Sequence, residues 1–241
     1  MPDEVTGSQR RAAVAAGISC LASMATIVFV NFAINARLMV PNNATETARN
    51  LLAHETLFRI NIVGYLVYSI GVIVFLTALY TILAPVSRGV AMAAALFRLI
   101  YALTWIVMAI RSLDALRILK RAAYLQVIEA DRLQALARLS IATGFDLYYI
   151  ALLFYTLAST VCCYLWLKSR YIPRALALFG LIGSAWGIVC SVAFLLDPGF
   201  SNVVNLWLFD SALGLFEMAL GVWLLIKGLR AAPAQYTMRE R

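Results

Sequence analysis

Apolar residues along this chain come in six long runs separated by short polar or basic breaks. Inside each run nearly every position is hydrophobic, so neither a helical nor a strand period of polar residues shows. A run of that kind is buried on all sides or faces lipid. The first extends from Ala12 to about Arg37, the second from Leu57 to Leu83, and the third from Val90 to Arg111. The fourth covers Ser140 to Trp166, the fifth Ala175 to Leu196, and the sixth starts at about Val203, with its apolar stretch from Asn205 to Lys227. Each is long enough to cross a bilayer as one helix, which takes about 20 residues. The breaks carry turn chemistry. Pro41 to Glu55 is a polar connection in which Ala44 to His54 predicts a short surface helix. Pro85-Val-Ser-Arg88 predicts a tight turn, Lys168-Ser-Arg-Tyr-Ile-Pro-Arg174 a short basic one, and Asp197-Pro-Gly-Phe a third. Arg10-Arg11 before the first run imitates a signal peptide, but the run is too long and no small-residue cleavage site follows.

One stretch differs. From Ser112 to Leu139 the charges Asp114, Arg117, Lys120, Arg121, Glu129, Asp131, Arg132 and Arg138 alternate with Leu and Ala at helical spacing. That pattern predicts one or two amphipathic helices lying on the membrane, or else an extension or partner surface beyond it. The predicted fold is therefore all-α: a polytopic bundle of six transmembrane helices with an amphipathic helical segment between helices three and four. Residues 10–230 form the transmembrane domain, residues 1–9 a disordered tail and residues 231–241 a second tail.

Composition agrees with the runs. Of 241 residues, 63% are apolar and 13% charged, against about half and a quarter in soluble domains. Mean hydropathy is +0.85. A surplus that large cannot be hidden in a globule, so the lipid bilayer is the first expected partner. The net charge of +8 would suggest nucleic acid in a soluble protein. Here the bases collect at the ends of apolar runs, where headgroups lie, so no nucleic-acid partner is expected. Lys168, Arg170, Arg174 and Lys227 are the expected headgroup contacts. Because the short turns after helices two and four are basic, both termini are assigned to the cytoplasm. Cys20, Cys162, Cys163 and Cys190 all lie within apolar runs and the chain has one histidine, His54 in a loop. Disulfides, a metal site and a cofactor are not expected.

Ionisable residues inside a membrane are costly, so each one asks for a partner. Glu217 stands in the middle of the last run and Arg98 in the middle of the third. Counting about 1.5 Å per residue puts each on the order of 15 Å from the same membrane face, although the two helices run in opposite directions. They are a candidate buried ion pair, either a structural lock or part of a substrate or proton path. Nearer the other face lie Asn31, Asn35, Arg59, Asn61, Asp146 and Asp210. If they converge, they form an outward-facing polar cluster above the pair. Gly180, Ser184, Gly187 and Ser191 make a small-residue stripe on the fifth helix, which lets another helix come close. Tyr164 and Trp166 predict an interfacial aromatic belt. Ala95-Leu-Phe-Arg-Leu-Ile100 and Ala177-Leu-Phe-Gly-Leu-Ile182 suggest that helices two–three and four–five are parallel repeats.

Three segments together resemble a known family. They are Leu79-Tyr-Thr-Ile-Leu-Ala-Pro-Val-Ser-Arg88 with Leu96-Phe-Arg-Leu-Ile100, Lys168-Ser-Arg-Tyr-Ile-Pro-Arg174, and Phe216-Glu-Met-Ala-Leu-Gly-Val-Trp-Leu-Leu-Ile-Lys-Gly228. The chain resembles domain-of-unknown-function family 4386, bacterial multi-helix membrane proteins. Arg98, Pro173, Arg174, Glu217 and Lys227 fall on positions of the family pattern. The chain departs from it at Gly71-Val72 and at Tyr101, where the pattern has acids. The resemblance implies the fold and a bacterial inner membrane; it carries no activity.

Three readings of function remain open. The first is an integral membrane protein with an intramembrane polar site that binds or moves a ligand, lipid, small amphiphile or ion. The second is a structural or partner subunit, including a homo-oligomer. The third is a lipid- or isoprenoid-modifying enzyme with Glu217 or Asp210 as acid or base. The residues favour the first two over the third.

Overall fold

The computed structural model describes residues 5–40, 43–120, 129–197, 199–200, 204 and 206–230. Within these it leaves aside the side chains at positions 44, 130–131, 134–135, 137–138, 141–142, 144–146 and 206–208. Among the described residues the chain is all helical: α1 Gly7–Leu38, α2 Ala44–Ala53, α3 Glu55–Leu83, α4 Arg88–Leu119, α5 Ala130–Ser169, α6 Arg174–Leu196 and α7 Leu206–Ile226. All except α2 are long and apolar enough to span a membrane. Only 39–56% of the apolar window of each is buried within the chain. The rest, including Ile18, Ile70, Ile110, Ile182 and Ile226, is exposed and needs lipid as solvent. The molecule is a multi-pass membrane protein.

Several boundaries move from those expected, each for a local reason. Helix α1 begins at Gly7, inside the stretch assigned to a tail, because Thr6 and Gln9 form a capping box: the Thr6 hydroxyl accepts from Gln9 N at 3.2 Å and Gln9 Oε1 accepts from Thr6 N at 3.0 Å. The tail at 231–241 lies outside the described residues. Helix α4 continues to Leu119 and α5 opens at Ala130. The amphipathic stretch is therefore two helix extensions, with residues 121–128 outside the described residues. No proline or glycine stands between Val90 and Leu119 to stop α4. At about 1.5 Å per residue, α4 and α5 are roughly 50 and 60 Å long, against a hydrocarbon core of about 30 Å. They must project beyond the bilayer.

The spans pack as a closed ring. The neighbours are α1–α3, α3–α4, α4–α5, α5–α6, α6–α7 and α7–α1. In this order α4 and α7 stand opposite one another. The closing contact of α7 on α1 is a close crossing: a Cβ on Gly17 would lie 2.6 Å from Leu225 Cγ and 2.9 Å from the Gly221 carbonyl oxygen, so glycine is what permits it. The stripe on α6 is used inside the ring as well. Gly180 abuts Cys163 and Phe216, and the Thr160 hydroxyl of α5 donates to Ser184 Oγ at 2.9 Å.

Both ends of the ring are covered. At the end carrying the termini, buried Gln9 donates to the Ile82 carbonyl at 3.1 Å and to Tyr171 Oη at 3.3 Å, and Arg230 N donates to the Tyr171 carbonyl at 2.9 Å. Trp166 is fully buried there, whereas Tyr164 is 52% exposed. The expected aromatic belt thus keeps Tyr164 and loses Trp166, which shares the inward face of Cys162 and Cys163. At the distal end, α2 packs across α1, α3, α4 and α5. Its buried Thr47 and Leu51, four apart, point inward, and Thr47 Oγ1 is pinned by Val40 N at 2.9 Å.

Candidate functional site

The ring axis is occupied at mid-depth by Arg98 from α4 and Glu217 from α7. Arg98 Nη2 lies 2.7 Å from Glu217 Oε1, and both side chains are under a tenth exposed. The approach is at ion-pair distance but off the hydrogen-bond direction, and Arg98 Nε also lacks an acceptor among the described residues. The guanidinium is further held by Ser159 Oγ, which accepts from Nη2 at 2.9 Å, and by the ring faces of Phe75 and Tyr155, 5.2 and 5.0 Å away. Beneath Glu217 the Cys20 thiol donates to its backbone carbonyl at 3.3 Å. Residues of α1, α3, α4, α5 and α7 thus meet at one level. The free space beside Arg98, walled by Leu79, Ala91, Ala94 and Cys162 among others, is about 10 Å³. That is the lower limit for a single water.

Distal to the pair rises a column of aromatic rings. The ring of Tyr101 lies 5.0 Å from that of Tyr155 and tilted by 34°, its hydroxyl is 2.6 Å from that of Tyr68, and Trp105 packs against Tyr68, Tyr101 and Tyr148. The column ends where the Tyr148 hydroxyl donates to Asp210 Oδ2 at 3.2 Å. Register explains this. Helices α5 and α7 run in the same direction, and Tyr148 and Tyr155 are seven residues apart, as are Asp210 and Glu217. Seven residues are two turns, so each helix offers the same face at both levels.

The remaining residues of the expected polar cluster do not converge. Asn35 donates to Asn31 Oδ1 and to Tyr65 Oη, both at 3.1 Å, from within a π-helical turn, Phe29–Asn35, and Asn31 itself is exposed. Arg59 is on the outer surface, paired with Glu55 at 2.9 Å, and Glu55 also meets Lys120 at 2.9 Å. Asn61 is fully buried, and its amide has no hydrogen-bond partner among the described residues. The side chain of Asp146 lies outside the described residues. Asn31 and Arg59 thus turn to the outer surface, a rotation that uniformly apolar runs do not reveal, whereas Asn61 shares the buried face of Tyr65 and Tyr68, and Tyr65, the partner of Asn35, packs on Trp105 at 5.3 Å. Lys168, Arg170, Arg174 and Lys227 are all exposed at the end carrying the termini.

Residues 15–228 match the family described as Domain of unknown function (DUF4386). The chain belongs to this family. No curated protein and no solved structure matches it. In this DUF4386 member the two repeat-like segments share an exposure pattern: Leu96 and Leu178 face out, Arg98 and Gly180 face in, and Ile100 and Ile182 face out. Where α4 sends an arginine to the axis, α6 has a glycine that admits Phe216. Tyr101 pairs with Tyr68, and Gly71 admits Ser23 of α1. Sequence reasoning overlooked Ser159, Tyr155, Phe75 and Cys20 around the pair. The matched seven-residue spacing on α5 and α7 is the signal that could have found Tyr155. No described group of His, Cys, Asp and Glu could hold a metal ion.

Proposed function

We propose that this protein binds a small positively charged or strongly polar guest in the distal half of its ring, and that Arg98 and Glu217 hold the ring closed when it is empty. The observation that carries this reading is position: the ion pair bridges opposite helices across the axis. A buried pair seldom stabilises more than apolar residues of the same volume would, so stability alone gives little reason to place one there. Two acids on one face of α7, with the faces of Tyr155, Tyr101 and Trp105 beside them, form the kind of set that takes an organic cation. In the closed state the Arg98 guanidinium fills that role itself, over Phe75 and Tyr155. The guest would approach beside Asp210, away from the helices that α2 covers. We place the protein in a bacterial inner membrane with its termini in the cytoplasm, from the basic turns at 85–88 and 168–174.

A second reading, a structural or partner subunit, is favoured by the near absence of free space at Arg98. One experiment separates the two. Tetraphenylphosphonium is titrated into the detergent-purified protein while its thermal unfolding is followed. A guest site predicts a saturable rise in Tm that is lost in Asp210→Asn. No rise with tetraphenylphosphonium, or a rise that Asp210→Asn leaves intact, removes the cation-binding reading and leaves the structural one.

A further inference from the structure

We infer that the ring opens sideways into lipid through the seam between α3 and α4, on the side of Arg98 nearer the termini, and that the guest proposed above leaves by this portal. The inference rests on that guest reading. Distal to Arg98 the two helices are tied together. The Ser69 hydroxyl donates to the Ala102 carbonyl at 2.8 Å, the Tyr68 and Tyr101 hydroxyls meet at 2.6 Å, and Trp105 packs on Tyr65 and Tyr68. Toward the termini such ties stop. Among the described residues no hydrogen bond or ion pair joins α3 to α4 between Arg98 and the turn at 84–87. Ala91, Ala94 and Ala95 stand there instead, and the free space of about 10 Å³ beside Arg98 lies among them. Half-buried Leu76, Tyr80 and Ala95 form its outer side, and buried Arg98 and Cys162 its inner end. The seam therefore runs through the ring wall, from lipid to the axis.

The ion pair is placed to work this portal. Arg98 closes the inner end of the seam and is drawn to Glu217 by charge, with no hydrogen bond between them, while its Nε, buried, has no acceptor among the described residues. A cation that takes over Glu217 releases Arg98 without breaking a hydrogen bond of the pair, and the seam loses its inner brace. Depth and chemistry name what passes. Ala95 is seven residues into α4, about 10 Å from the membrane face and among acyl chains. A mouth of Leu76 and Ala95 at that depth suits a lipophilic organic cation and refuses a hydrated ion. With an approach beside Asp210 and an exit beyond Arg98, the pair separates two accesses, which is what transport requires.

Cys162 is a native reporter at the inner end of the seam, and its neighbour Cys163 abuts Gly180 of α6 and reports on another wall. With Cys20→Ser, Cys190→Ser and either Cys163→Ser or Cys162→Ser, one of the two thiols remains. Its labelling by N-ethylmaleimide in detergent is timed by mass spectrometry. Saturating tetraphenylphosphonium should speed Cys162 about tenfold and leave Cys163 unchanged, since labelling follows the population of the open form. Ala95→Leu fills the mouth and should return Cys162 to its slow rate while the Tm rise with tetraphenylphosphonium persists. Glu217→Gln parts the pair without a guest and should also speed Cys162 alone. A Tm rise with no change at Cys162 overturns the portal and leaves the guest site standing. Equal acceleration of Cys163 overturns it too, because the whole ring would then have loosened, as does a fast Cys162 in Ala95→Leu. Without a Tm rise the guest reading falls, and Glu217→Gln then decides whether the seam opens: a slow Cys162 there removes the portal.

Discussion

Arg98 and Glu217 approach to 2.7 Å on the ring axis, while Glu55 meets Arg59 and Lys120 at 2.9 Å on the distal surface. By distance the two clusters are alike. By surroundings they are opposites: the axial side chains are 4% and 8% exposed, and the surface ones between 29% and 55%. Water and ions screen the surface cluster, and its long side chains lose entropy in being held, so it adds little to stability. The axial pair has no such screening. Its attraction is larger, but so is the desolvation that opposes it, and removal of either partner leaves a bare charge in a dry interior. Burial, more than separation, decides what an ion pair does.

Five variants, one of them double, test the contrast, taken from the largest expected effect to the smallest. Glu217→Gln leaves Arg98 unanswered and should destabilise the protein by about 3–5 kcal/mol, lowering Tm in detergent by roughly 10 °C. The double variant Arg98→Met with Glu217→Met removes both charges and should regain most of that loss; a double variant as weak as the single one would mean that the pair supplies packing alone. Gly17→Val tests the ring without touching a charge. By wedging α1 from α7 it should cost about 1–3 kcal/mol, and an unchanged melting curve would show that the crossing is looser than described. Asp210→Asn keeps an acceptor for Tyr148 and should cost about 1 kcal/mol, well below Glu217→Gln. Equal Tm values for those two variants would remove the distinction in depth. Smallest is Glu55→Gln, for which circular dichroism melts at low and high salt should overlay those of the wild type; a large, salt-independent drop would place that cluster in the same class as the axial pair.

How much of this was legible beforehand varies from residue to residue. The spans were plain, because a lipid-facing helix needs an unbroken apolar run and nothing else in the sequence looks like one. Arg98 and Glu217 stood out for the same reason, as charges where lipid tolerates none. Their matching depth followed from residue counts along helices of fixed rise. Asn31 and Arg59 turn outward, unforeseen because depth is readable from sequence but direction around the helix is not. When every position is apolar, no polar stripe marks which face turns inward. The same gap hides Trp166, which an interfacial belt would expose and which is 0% exposed. The segment from Ser112 to Leu139 showed its helical period but not its posture, since a helix lying on a membrane and one standing out of it carry the same pattern.

Sequence alone therefore determined that this chain is a six-span membrane helix bundle, that it belongs to its family, and which two charges stand inside apolar runs in need of a partner. It could do so because hydropathy and helical rise are local properties. Only the tertiary structure decided that the spans close into a ring, that the pair bridges opposite helices, and that Tyr148 and Tyr155 meet the acid-bearing face of α7. Those outcomes depend on which helix sits beside which and on how each is rotated. Close crossings such as Gly17 on Gly221 set that rotation, and their partners are two hundred residues apart in the chain.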